Sequence, residues 1–141
     1  MDIEKAVAYS RANRRSVLIT LKADGRPQSS NVMHWTDDDG VVHVSLTDSR
    51  AKVRNMRRDP RVTLHVTSDD FWAYAVLEGD AELTPVAASP DDATVDELVA
   101  YYRALNGEHP DWDEYRAAMV IDQRVVLTLP LERIYGWIMP G

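Results

Sequence analysis

The dipeptide Asp24-Gly25 lies in the middle of SVLITLKADGRPQSSNVMHW, between two strand-like runs. Asp-Gly readily supplies the positive φ angles that a tight hairpin demands, so the two runs are predicted to fold back on each other as antiparallel strands. A second turn, TDDDG, precedes VVHVSLT, a β-branched run whose faces alternate. A meander of three strands is therefore expected early in the chain.

The rest of the sequence continues in the same mode. RVTLHVT and AYAVLEGDAELTP read as strands four and five, the second long enough to curve, with Gly79 as its bulge or kink point. RVVLTLP and LERIYGWI close the chain as two further strands separated by Pro130, which has no N–H for a sheet ladder. Helical spacing occurs in three other places. Ile3, Ala6 and Val7 mark a short helix over about 3–13 with Asp2 as N-cap. Val95, Leu98, Val99, Tyr102 and Leu105 mark a second, begun by Ser89-Pro90-Asp91-Asp92 with Pro at the first helical position and stopped by Asn106-Gly107. DWDEYRAAMVI places Trp112, Tyr115 and Met119 on one side of a third. Six or seven strands joined mostly by short turns, with few helices, predict an antiparallel α+β barrel. A single domain over 1–141 follows from the length and the absence of internal repeats.

Composition narrows the chemistry. With no cysteine, the chain has no disulfides, thiolate metal sites or thiol nucleophile. No apolar run approaches the ~20 residues of a membrane span, and MDIEKAVAYSRANRR lacks the apolar stretch of a signal peptide, so a cytoplasmic protein is expected. The net charge of -7 argues against a general nucleic-acid binder.

Against that acidic background, TDSRAKVRNMRRDPRV concentrates Arg50, Lys52, Arg54, Arg57, Arg58 and Arg61 in twelve residues. Asp48 or Ser49 is the expected cap of a helix there, with Ala51, Val53 and Met56 for packing and Asp59-Pro60 as its end. A helix N-terminus beside Arg and Lys suits phosphate; a solvated face paired with acids elsewhere is the competing reading. His34, His43, His65 and His109 lack metal-ligand spacing, so no metal is assigned. No G-x-S-x-G, P-loop or G-x-G-x-x-G occurs among only six glycines, so hydrolase, kinase and Rossmann readings lose support. Trp72 and Tyr74, at a strand start, read as a core or barrel-rim cluster.

DGRPQSSNV, SRAKVRNMRRDPRV, WAYAVLEGDAELTP and the C-terminal YYRALNGEHPDWDEYRAAMVIDQRVVLTLPLERIYGW resemble, in order and over nearly the whole chain, the pyridoxamine 5'-phosphate oxidase-like split-barrel superfamily. More narrowly, they resemble its small actinobacterial branch of deazaflavin (coenzyme F420)-dependent oxidoreductases. The resemblance implies a split β-barrel homodimer with cofactor sites at the subunit interface. Arg50 and Lys52 would bind the cofactor phosphate, with Asn55 in support. Gln28, Ser29 and Asn31 would lie along the ring system and ribityl chain. Ser45 and Thr47 would add hydroxyl or backbone contacts, and the partner's Trp72 and Tyr74 would wall the ring or substrate pocket. Relatives with similar barrels bind FMN, which the same clamp would hold. Pyridoxamine phosphate oxidases proper are longer, with terminal segments for their substrate phosphate, and that activity is not expected.

Six cations suit the phosphodiester and glutamate tail of F420 better than one FMN phosphate, and Arg54, Arg57, Arg58 or Arg61 would meet that tail. The implied reaction is hydride transfer from the reduced deazaflavin to an electron-poor double bond of a flat, apolar small molecule, with solvent, Tyr74 or His34 as proton source. An FMN-dependent oxidase or reductase is the alternative, and a non-catalytic F420 or flavin carrier a second; neither membrane nor nucleic acid is an expected partner.

Overall fold

A computed structural model describes residues 1–139 of the chain. The final two residues of the expected domain, Pro140 and Gly141, lie outside the described residues.

The Asp24-Gly25 hairpin forms as predicted. Strand β1 (Arg15–Leu21) pairs antiparallel with β2 (Pro27–Met33) from Arg15↔Met33 to Leu21↔Pro27. Lys22 donates its N–H to the Arg26 carbonyl at 2.8 Å, and Gly25 takes φ 85, where a Cβ would be strained. The TDDDG turn also forms, but its arms are β3 (Trp35–Thr36) and β4 (Val42–Thr47).

Here the expected three-strand meander fails. β4 pairs with β3 and with β8 (Arg124–Leu129), in a different sheet from β1 and β2. Contacts remote in sequence are the cause: the His34 N–H is held by the Arg14 carbonyl at 2.9 Å, and Thr36 is tied to Ser10 of helix α1 (Ile3–Ala12) at 2.9 Å, which turns the chain out of the first ladder.

The predicted fifth strand divides for a similar reason. β6 (Tyr74–Asp80) pairs with β5 (Arg61–Thr67), whereas β7 (Glu82–Leu83) crosses to β8. Between them the Ala81 N–H turns to the Pro60 carbonyl at 2.7 Å. Gly79 is not a bulge, since it sits opposite Val62 in regular register; a Cβ there would lie 2.4 Å from the Pro130 carbonyl oxygen. Close backbone approach, not curvature, requires the glycine.

The expected antiparallel split barrel is present as two sheets that do not close: β2-β1-β5-β6-β9, with β9 at Arg133–Trp137, and β3-β4-β8-β7. The two-residue strands β3 and β7 raise the strand number to nine among the described residues. Inward side chains of both sheets, including Leu18, Val44, Leu64, Leu77 and Leu127, form the main core. A second cluster packs α3 (Ala93–Asn106) and α4 (Trp112–Ile121) on Val126, on the other face of β8.

Helix starts needed two corrections. Asp92, not Ser89, caps α3, its carboxylate accepting from the Val95 N–H at 2.8 Å, so Pro90 belongs to the preceding turn and not to the first helical position. Helix α2 (Ala51–Arg58), the basic segment, has Arg50 at its N-cap and no side-chain cap. Asp48 is drawn instead to Arg57 at 2.5 Å. Val53 and Met56 pack inward as expected, but Ala51 is exposed and Asn55 takes the third buried place. Among the described residues, no helix is long and apolar enough to cross a membrane.

Candidate functional site

Three residues separate the end of β4 from the start of helix α2, so the fold sets its N-terminal turn beside the start of β8, where Thr47 pairs with Arg124. Its inward side then crosses to the open edge of the other sheet. Successive residues of β2 point to opposite faces, and Gln28, Ser30 and Val32 take the inner face. Lys52 donates to the Ser30 hydroxyl at 3.2 Å. Asn55 donates to Gln28 Oε1 at 2.5 Å and to Thr20 Oγ1 at 3.1 Å, while its Oδ1 accepts from Arg58 at 2.9 Å. Both Asn55 amide protons and its carbonyl are thereby engaged, making it a clip between α2, β1 and β2.

The electrostatics of this corner are one-sided. Burial pushes the Lys52 ammonium below its ordinary pKa, and the charges of Arg50 and Arg124 push it further. Arg124 donates a long 3.4 Å hydrogen bond to the Ser45 hydroxyl. Its Nε is shielded from water without a hydrogen-bond partner, 3.6 Å from Asp122. Above it, the Tyr101 hydroxyl donates to the Met33 carbonyl at 2.7 Å, tying α3 to the end of β2. Burial raises the Tyr101 phenol's pKa against the lowering effects of the Ser45 backbone and Arg124. A half-buried ammonium in the field of two guanidinium groups, with the Ser30 and Ser45 hydroxyls bonded to Lys52 and Arg124, is a site that an anion would neutralise.

The residues singled out from the sequence fall into three groups. Arg50, Lys52, Asn55, Gln28, Ser45 and Thr47 belong to this corner through the contacts above. Ser29 and Asn31 have the opposite parity on β2 and face outward. Trp72 is 73 % exposed, and Tyr74 stacks on His65 with ring centroids 5.4 Å apart. Both lie toward the far side of the five-stranded sheet, where β6 stands three strands from β2, roughly 14 Å at the usual strand spacing. Depressions of about 410 and 430 Å³ also lie on that sheet; Asn31 and Met33 line one, Glu78 and Arg133 the other.

Three of the four rear arginines are committed within the chain. Arg57 pairs with Asp48, Arg61 pairs with Asp59 at 2.8 Å, and Arg58 holds Asn55 and the Leu21 carbonyl. His34 is removed from the possible proton donors, because it is fully buried. Its Nε2 donates to the Ser10 carbonyl at 2.8 Å, so the neutral ring must accept the Ser16 hydroxyl at Nδ1, also 2.8 Å.

Ser30, Tyr101 and Arg124 were missed in the sequence. Parity along PQSSN would have found Ser30 beside Gln28; Arg124 carries only the weak signal of a cation heading a β-branched run.

Comparison with known proteins gives the same fold. Residues 3–138 match the family model described as pyridoxamine 5'-phosphate oxidase. A conserved hypothetical protein from Mycobacterium tuberculosis superposes with a TM-score of 0.75 at 20 % identity, over 97 % of this chain and 84 % of that one. An F420 reductase gives 0.69 at 20 % identity, over 91 % and 94 %. A FAD-binding protein from Mesorhizobium loti gives 0.69 at 18 % identity, over 96 % and 92 %.

Proposed function

Because the chain belongs to the pyridoxamine 5'-phosphate oxidase family, we propose that it is a flavin-type oxidoreductase whose cofactor is coenzyme F420, clamped through phosphate by Arg50 and Lys52. The observation that carries this reading is the surplus of positive charge at the start of α2. Lys52 is partly buried, lies within the field of Arg50 and Arg124, which lower its pKa, and has Ser30 as its side-chain hydrogen-bond partner. The hydroxyls of Ser30 and Ser45 supply the neutral polar atoms that suit a phosphate ester.

The bound deazaflavin would supply a hydride to an electron-poor double bond of a small, flat, apolar substrate. The chain's own residues then bind and orient. Asn55 fixes Gln28 against α2, so the Gln28 amide is held at the inner edge of β2. Arg58 holds the clip from behind, with its guanidinium between Asn55 and the Leu21 carbonyl. No step passes through His34, whose two ring nitrogens are engaged inside the fold.

The proposal includes a homodimer. The outward face of the five-stranded sheet carries Met33, Tyr135 and Trp137, each about half exposed. Met33 stands on β2 and Tyr135 and Trp137 on β9, at opposite edges of the sheet, so a second copy covering all three would span this face. A second copy on this face would bring its Trp72 and Tyr74 toward the corner that one chain's own strand order keeps them from.

One observation favours an FMN-dependent oxidase or reductase as the second reading. With Arg57, Arg58 and Arg61 engaged internally, the cations left for an acidic tail are fewer than the sequence suggests. Arg50→Ala combined with Lys52→Ala should weaken F420 binding at least about a hundredfold, at ~1.5–3 kcal/mol per charged hydrogen bond. Unchanged binding by a folded double variant removes the clamp.

A further inference from the structure

Arg124 is placed at some cost. It follows Gln123, a non-glycine residue at φ 53, in the left-handed region that L side chains avoid. That residue's carbonyl accepts the Asp48 N–H at 3.0 Å, which ties the segment leading into α2 to the start of β8. The strained turn thus fixes Arg124 opposite Thr47, at the corner where Arg50 begins the helix.

The guanidinium is then left with little to hold. Nη1 reaches Ser45 only at 3.4 Å, and Nε, without contact to water, has no hydrogen bond; Asp122 at 3.6 Å is too distant for one. A shielded N–H without an acceptor is unusual in a folded protein and calls for a ligand or a functional reason. A surface ion pair with Asp122 does not explain it, because such a pair would not need a guanidinium turned toward Ser45 and a second cation, Lys52, within its field.

We propose that Arg124 is the third arm of the anion clamp, a binding residue from β8 that shares the cofactor's phosphate with Arg50 and Lys52. This rests on the functional reading above and extends it from one helix to two elements that meet only in the folded chain. The planar fork of arginine donates to two phosphate oxygens at once, which a lysine's point charge does not do.

Fluorescence titration of the full chain with F420 and with FMN, over a range of salt concentrations, tests it. Arg124→Gln should weaken binding about tenfold or more and flatten the salt dependence. Arg124→Lys should recover part of the affinity and most of the salt dependence, and Asp122→Asn should lose nothing. If Arg124→Gln binds like the parent while Arg50→Ala with Lys52→Ala does not, the third arm is wrong and the clamp stands. Should the glutamine variant not fold, the lysine variant decides: affinity equal to the parent's overturns the inference. A parent chain that binds neither cofactor overturns the functional reading and this inference together. Loss of affinity in Asp122→Asn equal to that in Arg124→Gln makes Arg124 a structural ion-pair partner and likewise overturns it.

Discussion

Lys52 and His34 are both partly or wholly withdrawn from water, and the surroundings give them opposite roles. Lys52 must be charged to hold an anion, yet burial, then Arg50 and Arg124, lower its pKa from 10.5. Its attraction is complete below the lowered value and disappears as pH rises through it. Cofactor affinity is therefore expected to fall on an alkaline limb below 10.5, and the bound anion to move the lysine back upward. Following the Lys52 side-chain NMR signal with pH, free and bound, checks both. His34 is held neutral: burial lowers its pKa below 6.5, outweighing the Ser10 carbonyl's opposing effect, and Arg14 adds to the lowering. An unfolded chain takes up that proton near 6.5 while the fold refuses it, so this contribution to stability is full above 6.5 and shrinks as pH falls toward the lowered value. Thermal melts should drop as pH falls below 6.5. His34→Asn should be less stable at pH 8 by ~1–3 kcal/mol, with this part of the pH dependence gone. The histidine's inertness was readable only as a strand-face default; its burial depends on Ser10 and Ser16, which no local pattern brings together.

Elements were legible where their signals are local and obscure where partners are distant. The Asp24-Gly25 hairpin, the Asp2 cap of α1 and the Gly107 stop of α3 all formed as read, because each is settled within a few residues. Which sheet a strand joins is settled by remote contacts. That is why β4 and β7 left their expected neighbours for β8, and why Arg124 stayed hidden until β8 was seen beside β4. The Pro130 connection packs its carbonyl onto Gly79, where the two sheets meet. Gly79→Ala should therefore destabilise by roughly 1–3 kcal/mol, the range for overpacking at a tight contact. Chemical denaturation measures it, and a neutral result would show that this crossing yields easily.

At the scale of the whole molecule, the two sheets give the chain two different surfaces. The four-stranded sheet is covered by α3 and α4, whereas the five-stranded sheet shows Met33, Tyr135 and Trp137 on its outward face. If the proposed dimer forms through this face, Trp137→Glu should shift it toward monomer in sedimentation velocity, since a buried unpaired carboxylate is costly in an interface. If the parent chain is monomeric at all accessible concentrations, the partner's Trp72 and Tyr74 have no place in the site. The anion clamp belongs to a single chain and would survive that result. Its meaning rests on which cofactor it holds, so the deciding measurement is a titration of the pure protein with F420 and FMN side by side, for the parent and for Arg50→Ala with Lys52→Ala. Tight F420 binding that the double variant loses is the predicted result. A protein that binds FMN and ignores F420, or a folded double variant that binds F420 as the parent does, would contradict it.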